Sequence, residues 1–258
     1  MDKVSYHTHT SISDGKFSPE ELIKCAIENN FKVLAITDHY PRPSGIDVEG
    51  WSLGFYTDKD HKELMNLREQ YLGKIEVLVG VEFEWLPGHI DWLMKEVDRR
   101  DYDVKIISIH QVFFEGKYYT INYSDEVFLE ALDVLNGDIE KMVKIYYSSV
   151  RDAVGSGKFD ILGHFDVIKT LNKDSRYFSE EDDWYKKEVI KTLESVKASG
   201  IKMEVNFQGL TKPCEEQGPS KWIINEAKNM GIELVVGTDA HNESQLCLDW
   251  NKVEEIMS

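Results

Sequence analysis

The chain has 258 residues, 41% of them hydrophobic, which is enough for a sizeable core and suits a single barrel as well as two smaller domains. Its 47 acidic against 30 basic side chains give a formal net charge of −17, which argues against a nucleic-acid-binding surface and against docking on an anionic membrane. No run approaches the ~18 apolar residues of a spanning helix, and the start, MDKVSYHTHT, lacks the basic-then-apolar pattern of a secretory signal. Cys25, Cys214 and Cys247 are odd in number and far apart, with no CxxC; this disfavours a disulfide framework or thiolate zinc site and fits a cytoplasmic protein with reduced thiols.

In chain order, β-rich runs at Val4–His9, Lys32–Thr37, Glu76–Trp85, Val104–His110, Phe159–Phe165, Ile201–Phe207 and Glu233–Thr238 predict seven strands. Amphipathic segments lie between several of them. Ser18-Pro19-Glu20-Glu21 reads as a capping box with Pro at the first helical position, followed by Leu22, Ile23, Ala26 and Ile27 at helical spacing. Asp60–Leu72, Ser124–Leu135, Ile139–Gly155, Ser179–Ala198 and Ser220–Met230 predict further helices, with Glu180-Glu181-Asp182-Asp183 as an acidic helix start. Strand–helix alternation with apolar strands predicts a parallel α/β architecture, and no composition break divides the units.

The ends of these strands carry the chemistry. They hold His7 and His9, Asp38 and His39, Glu82, His110, His164, and Asp239 with His241; six of the eight histidines fall there. In α/β barrels these ends converge on one face. His7 and His9, two apart on a strand, share a face, and Asp239 and His241 have the same spacing. Imidazole and carboxylate groups are ligands for Zn²⁺, Mn²⁺, Fe²⁺ or Co²⁺. With Asp14 and His39 added, the candidate ligands are His7, His9, Asp14, His39, Glu82, His110, His164, Asp239 and His241. At about four ligands per ion this predicts two or three divalent metals. Clustered ions of that kind serve phosphoester hydrolysis, and they would supply the positive charge that the acidic chain lacks.

His7-Thr8-His9-Thr10 with Asp14-Gly15, then Thr37-Asp38-His39, Gly80-Val81-Glu82, Ser108-Ile109-His110, Gly163-His164 and Thr238-Asp239-Ala240-His241, resemble the motif series of the PHP (polymerase and histidinol phosphatase) superfamily. The resemblance spans residues 7 to 241 and implies a distorted (β/α)7 barrel, one domain over 1–258, with a trinuclear metal site. Three further stretches are similar to the monofunctional histidinol-phosphate phosphatases. They are Gly80 to Gly88, Ser108-Ile109-His110 with Glu115-Gly116, and Glu204-Val205-Asn206 with Gly209-Leu210 and Pro219-Ser220.

That likeness implies hydrolysis of L-histidinol phosphate to L-histidinol and phosphate, a step of histidine biosynthesis. It implies one metal held by His7, His9, Glu82 and Asp239, a second by Glu82 as a bridging carboxylate with His110 and His164, and a third by Asp14, His39 and His241. A hydroxide bridging the first two metals would attack in line, with Asp239 as the catalytic proton acceptor. Glu84 is open between supporting a ligand and meeting the substrate amine, and Asp38 is expected to orient an imidazole. Arg42 is the candidate phosphate contact; Lys169 and Arg176 are weaker ones. His61 is expected to be exposed, and His89 to sit in a turn. The expected partner is a small phosphate monoester, with no nucleic acid and no membrane. The competing readings are a PHP phosphoesterase for another small ester, such as a nucleotide or sugar phosphate, and a non-catalytic metal-binding module.

Overall fold

Nine strands form in the computed structural model, which describes residues 1–46, 48–49 and 56–258. In chain order they are β1 (Lys3–Ser5), β2 (Phe31–Ile36), β3 (Glu76–Glu84), β4 (Val104–Ser108), β5 (Gln111–Phe114), β6 (Lys117–Thr120), β7 (Ile161–Leu162), β8 (Lys202–Asn206) and β9 (Leu234–Gly237). Seven of them make one parallel sheet in the order β1-β2-β3-β4-β7-β8-β9. Tyr6 N donates to Val236 O at 2.9 Å, Asp239 N to His7 O at 2.9 Å and His9 N to Ala240 O at 3.0 Å, so the last strand returns to the first. The result is a distorted (β/α)7 barrel in a single domain. The remaining pair, β5 and β6, is an antiparallel hairpin inserted directly after His110; it was not among the expected elements.

The helices are α1 (Pro19–Glu28), α2 (Asp58–Gln70), α3 (Ile90–Val97), α4 (Asp125–Val134), α5 (Ile139–Gly155), α6 (Asp183–Ser199), α7 (Lys221–Asn229), α8 (Glu243–Leu246) and α9 (Trp250–Met257). The capping box forms as its residues predict, with Ser18 and Glu21 exchanging bonds and Pro19 at the start of α1. The acidic run behaves differently. α6 begins only at Asp183, Asp182 makes no side-chain cap, and Glu180 turns inward to accept from Ser220 Oγ at 2.6 Å and Trp222 Nε1 at 2.7 Å. Two partly buried donors need an acceptor there, and that requirement outweighs the dipole of the helix. α3, α8 and α9 complete the outer layer. Among the described residues, no helix is long and apolar enough to cross a membrane.

The alternation of the strands explains where the site sits. Ala35, Val104, Ile106, Ile161 and Val235 pack together as a small apolar cluster, with Leu78 against it, apart from the large core under the helices. Stepping two residues along a strand stays on the same face. From Ala35 the row runs through Thr37 to His39, from Leu78 through Gly80 to Glu82, from Ile106 through Ser108 to His110, and from Val235 through Gly237 to Asp239. Apolar side chains fill the lower barrel, small residues form a middle layer, and the candidate ligands crown the C-terminal ends.

Candidate metal centre

The crown gathers all nine predicted ligands. Glu82 lies at its middle, with Oε2 2.6 Å from His39 Nδ1 and 3.6 Å from His9 Nε2, and Oε1 3.1 Å from His164 Nε2, 3.5 Å from His7 Nε2 and 3.8 Å from His110 Nε2. A bridge between His39 and Glu82 and the bond from Tyr40 N to Glu82 O (2.8 Å) set this register. Asp239 Oδ1 stands 3.2 Å from His9 Nε2 and 3.7 Å from His7 Nε2. Asp14 approaches His241 at 3.2 Å and His9 and His39 at 3.7 Å each. Three donor groups result: His7, His9 and Glu82; Glu82, His110 and His164; and His9, Asp14, His39 and His241. His9 joins two of them, where the family likeness implies a place in the first alone.

The donor set suits divalent cations. His7 Nε2 and His9 Nε2 face each other at 3.0 Å, a separation at which two imidazoles can share one proton or together meet a cation. His164 Nδ1 is buried without a hydrogen bond. Burial opposes charge on Glu82, but His39, His7 and His110 outweigh it and hold the carboxyl well below its usual range. Asp239 is held low in the same way, by His7, His9 and His241 against its burial. Burial, with His241 and His39 alongside, pushes His9 down to about 4, so its ring is neutral and free to ligate. At His39 burial acts in the same direction, yet the adjacent Glu82 raises the ring to about 9.

A ring of partners fixes these side chains, and most of it escaped the sequence reading. Glu204 Oε1 binds His7 Nδ1 at 2.8 Å and Glu204 Oε2 accepts from His164 N at 2.7 Å. Glu204 is part of the family likeness, but no role followed from it; its other signal is a carboxylate between apolar Met203 and Val205 in β8. Gly237 makes room for it: a Cβ there would meet Glu204 Oε1 at 1.7 Å. Glu84, left open between two roles, accepts from His110 N at 2.7 Å and lies 2.6 Å from His110 Nδ1. Asn206 Nδ2 donates to Asp239 Oδ2 at 3.0 Å, leaving Oδ1 toward the histidines. Asp239 has a left-handed backbone (φ 48°), a conformation Asp tolerates better than most residues, and it turns the chain so that Asp239 and His241 both face the centre. Asp38 bonds no imidazole directly; it reaches His9 only through Ser13 Oγ, which lies 3.4 Å from His9 Nδ1. It accepts from Thr10 N and Thr10 Oγ1 at 2.7 Å and from Ser13 Oγ at 2.6 Å, fastening the loop that carries Asp14. That loop offers several donors to a buried carboxylate.

The centre opens into a pocket whose basic wall residues, among those described, are Lys169 and Lys212. Arg42 sits on the loop beyond His39 and is not part of that wall. Lys169 is buried and paired with Glu216 at 2.8 Å, Asp166 at 3.3 Å and Glu180 at 3.4 Å. Arg176 is spent on Asp125 at 2.7 Å. His61 is only half exposed, because Tyr56 OH bonds its Nδ1 at 2.9 Å, and His89 stacks on Tyr118.

A parallel barrel crowned by histidines and carboxylates from six of its seven strand ends defines a metal-centre α/β barrel class. Within it, the PHP domain matches residues 5–208, and the chain belongs to that family. The histidinol-phosphatase of Bacillus subtilis is 24% identical over 255 residues, covering 93% of this chain and 94% of that protein. A solved structure from Listeria monocytogenes superposes with a TM-score of 0.83 at 22% identity, covering 97% of this chain and 99% of the other. The histidinol phosphate phosphatase of Lactococcus lactis, solved with zinc, L-histidinol and phosphate, gives a TM-score of 0.75 at 19% identity, covering 99% and 92%. The two structural likenesses establish the fold.

Proposed function

We propose that this protein is a metal-dependent phosphatase that hydrolyses L-histidinol phosphate to L-histidinol and phosphate. The observation that carries the reading is the convergence of eight histidine and carboxylate side chains into three donor groups joined through Glu82 and His9, with Asp239 beside His7 and His9. The Bacillus subtilis relative, named histidinol-phosphatase and aligned over 93% of this chain, supports the substrate, as does the ligand set of the Lactococcus lactis structure.

His7, His9, Glu82 and Asp239 would hold one ion, Glu82, His110 and His164 a second, and Asp14, His39 and His241 a third. Bound divalent ions supply an activated water and neutralise the phosphoryl oxygens. The chain's own residues do the rest. Glu204 and Glu84 orient His7 and His110. Asn206 fixes one oxygen of Asp239, so that the other is free to take up a proton from the attacking water and return it. Lys169 neutralises Asp166 and Glu216 in the pocket wall, and Arg42, on the loop beyond His39 and outside that wall, would have to reach in to contact the phosphate. The acidic outer surface favours a small monoester over a polynucleotide.

Turnover on a panel of histidinol phosphate, nucleoside monophosphates, sugar phosphates and bis-p-nitrophenyl phosphate tests the assignment. Histidinol phosphate should give the highest kcat/KM. A higher value on the diester or on a nucleotide would replace the substrate assignment. No turnover in protein carrying two or more metals would replace the enzymatic one.

A further inference from the structure

Two cysteines from opposite ends of the sequence meet where α1 packs on α8, outside the histidine–carboxylate centre. Cys25 comes from α1; Glu243 opens α8 and Cys247 closes it. One ligand atom of each lies within 4.8 Å of the other two. Glu243 and Cys247 are one helical turn apart, linked by Cys247 N to Glu243 O at 2.9 Å, so their side chains project from one side. Cys25 is buried, while Glu243 and Cys247 are exposed, which gives an ion a path from solvent and an inner wall to stop against. Asn29 Nδ2 lies 3.6 Å from Cys25 Sγ and donates to it, which favours a charged sulfur. Burial, Cys247 and Glu243 together push the Cys25 thiol up to about 11. The neighbouring groups thus disfavour a second negative charge, and a cation among them reverses that effect.

We propose that Cys25, Glu243 and Cys247 form a peripheral site for a thiophilic divalent cation of the zinc–cadmium type. Two thiolates and a carboxylate occupy three positions of a tetrahedral ion, and water takes the fourth. Binding releases the two thiol protons to solvent. The sequence spacing hid this site because its sulfurs come together only through the packing of α1 on α8. The ion would tie α1 to the segment that follows His241, where Gln245 Oε1 accepts from His241 N at 2.8 Å.

Cadmium gives an ultraviolet sulfur-to-metal charge-transfer band with thiolates, and the central cluster contains only nitrogen and oxygen donors. Full-length protein, saturated with manganese and kept anaerobic, is titrated with cadmium alone. One bound cadmium per chain with this band is expected. The band should vanish in Cys247→Ser and in Cys25→Ser, persist in Cys214→Ser, and need more cadmium in Glu243→Gln. Cys247 is exposed, so its serine variant reads the site even if Cys25→Ser does not fold. No band in the wild type, survival of the band in Cys247→Ser, or its loss in Cys214→Ser overturns the site. So does a Cys25–Cys247 disulfide in the anaerobic protein.

Discussion

Glu82 has five imidazoles within 3.8 Å of its two oxygens. Such a carboxylate is useful only if the rings around it stay turned the right way, and that task falls on Glu204 and Glu84. Carboxylates that support a metal-ligating histidine typically account for 10–100-fold in metal affinity. Glu204→Gln should therefore weaken binding at the His7 and His164 groups by about 10–100-fold, read by titration against a competing chelator; unchanged affinity would show that Glu204 does not position them. His39 gives a pH dependence. Burial lowers its proton affinity, but Glu82 more than offsets this and raises the ring to about 9 in the metal-free protein. Below that pH the ring carries a proton that an ion must displace. Metal uptake should release this proton and grow tighter with rising pH, levelling off beyond about pH 9. Calorimetry in buffers of different ionisation heat measures the release, and His39→Ala should abolish that portion.

At the scale of elements, the reading of the ligands depended on seven apolar runs, and each run corresponds to a strand of the barrel. Their ends are shorter than the runs: Val4–His9 yields only Lys3–Ser5, and Phe159–Phe165 only Ile161–Leu162. The apolar pattern continues past the last ladder bond because the following residues are buried under the crown, and burial, not pairing, is what composition reports. The β5–β6 hairpin and α3 escaped because both are short and adjoin elements already read as strand or turn. The supporting shell escaped for another reason: Glu204 is legible as a ligand support only once β7, β8 and β9 are adjacent. Gly237 expresses that adjacency, since any side chain there would occupy the space of Glu204 Oε1. Gly237→Ala should overpack the middle layer, cost about 1–3 kcal/mol in urea unfolding, and displace Glu204 from His7. A fully stable variant with normal metal affinity would contradict this packing.

For the whole molecule, the net charge of −17 takes on a structural meaning. Glu82, Glu204 and Asp239 are buried together at one end of the barrel, where burial keeps His9 neutral while the carboxylates raise His7, His39, His164 and His241 and so hold protons on them. Divalent cations would displace those protons and take their place beside the buried carboxylates. Binding to the folded state alone stabilises by about 4 kcal/mol when free metal exceeds its dissociation constant a thousandfold. In a chain of this size each kcal/mol shifts the melting temperature by about 2–4 °C. Stripping the metals with a chelator should then lower Tm by roughly 8–16 °C, with recovery when Zn²⁺ or Mn²⁺ is restored. The drop should shrink in a variant lacking Glu82, because that side chain joins two of the three donor groups. An unchanged melting temperature in protein shown by elemental analysis to be metal-free would mean that the crown is preorganised by its hydrogen bonds alone. The ions would then contribute to chemistry and not to the fold.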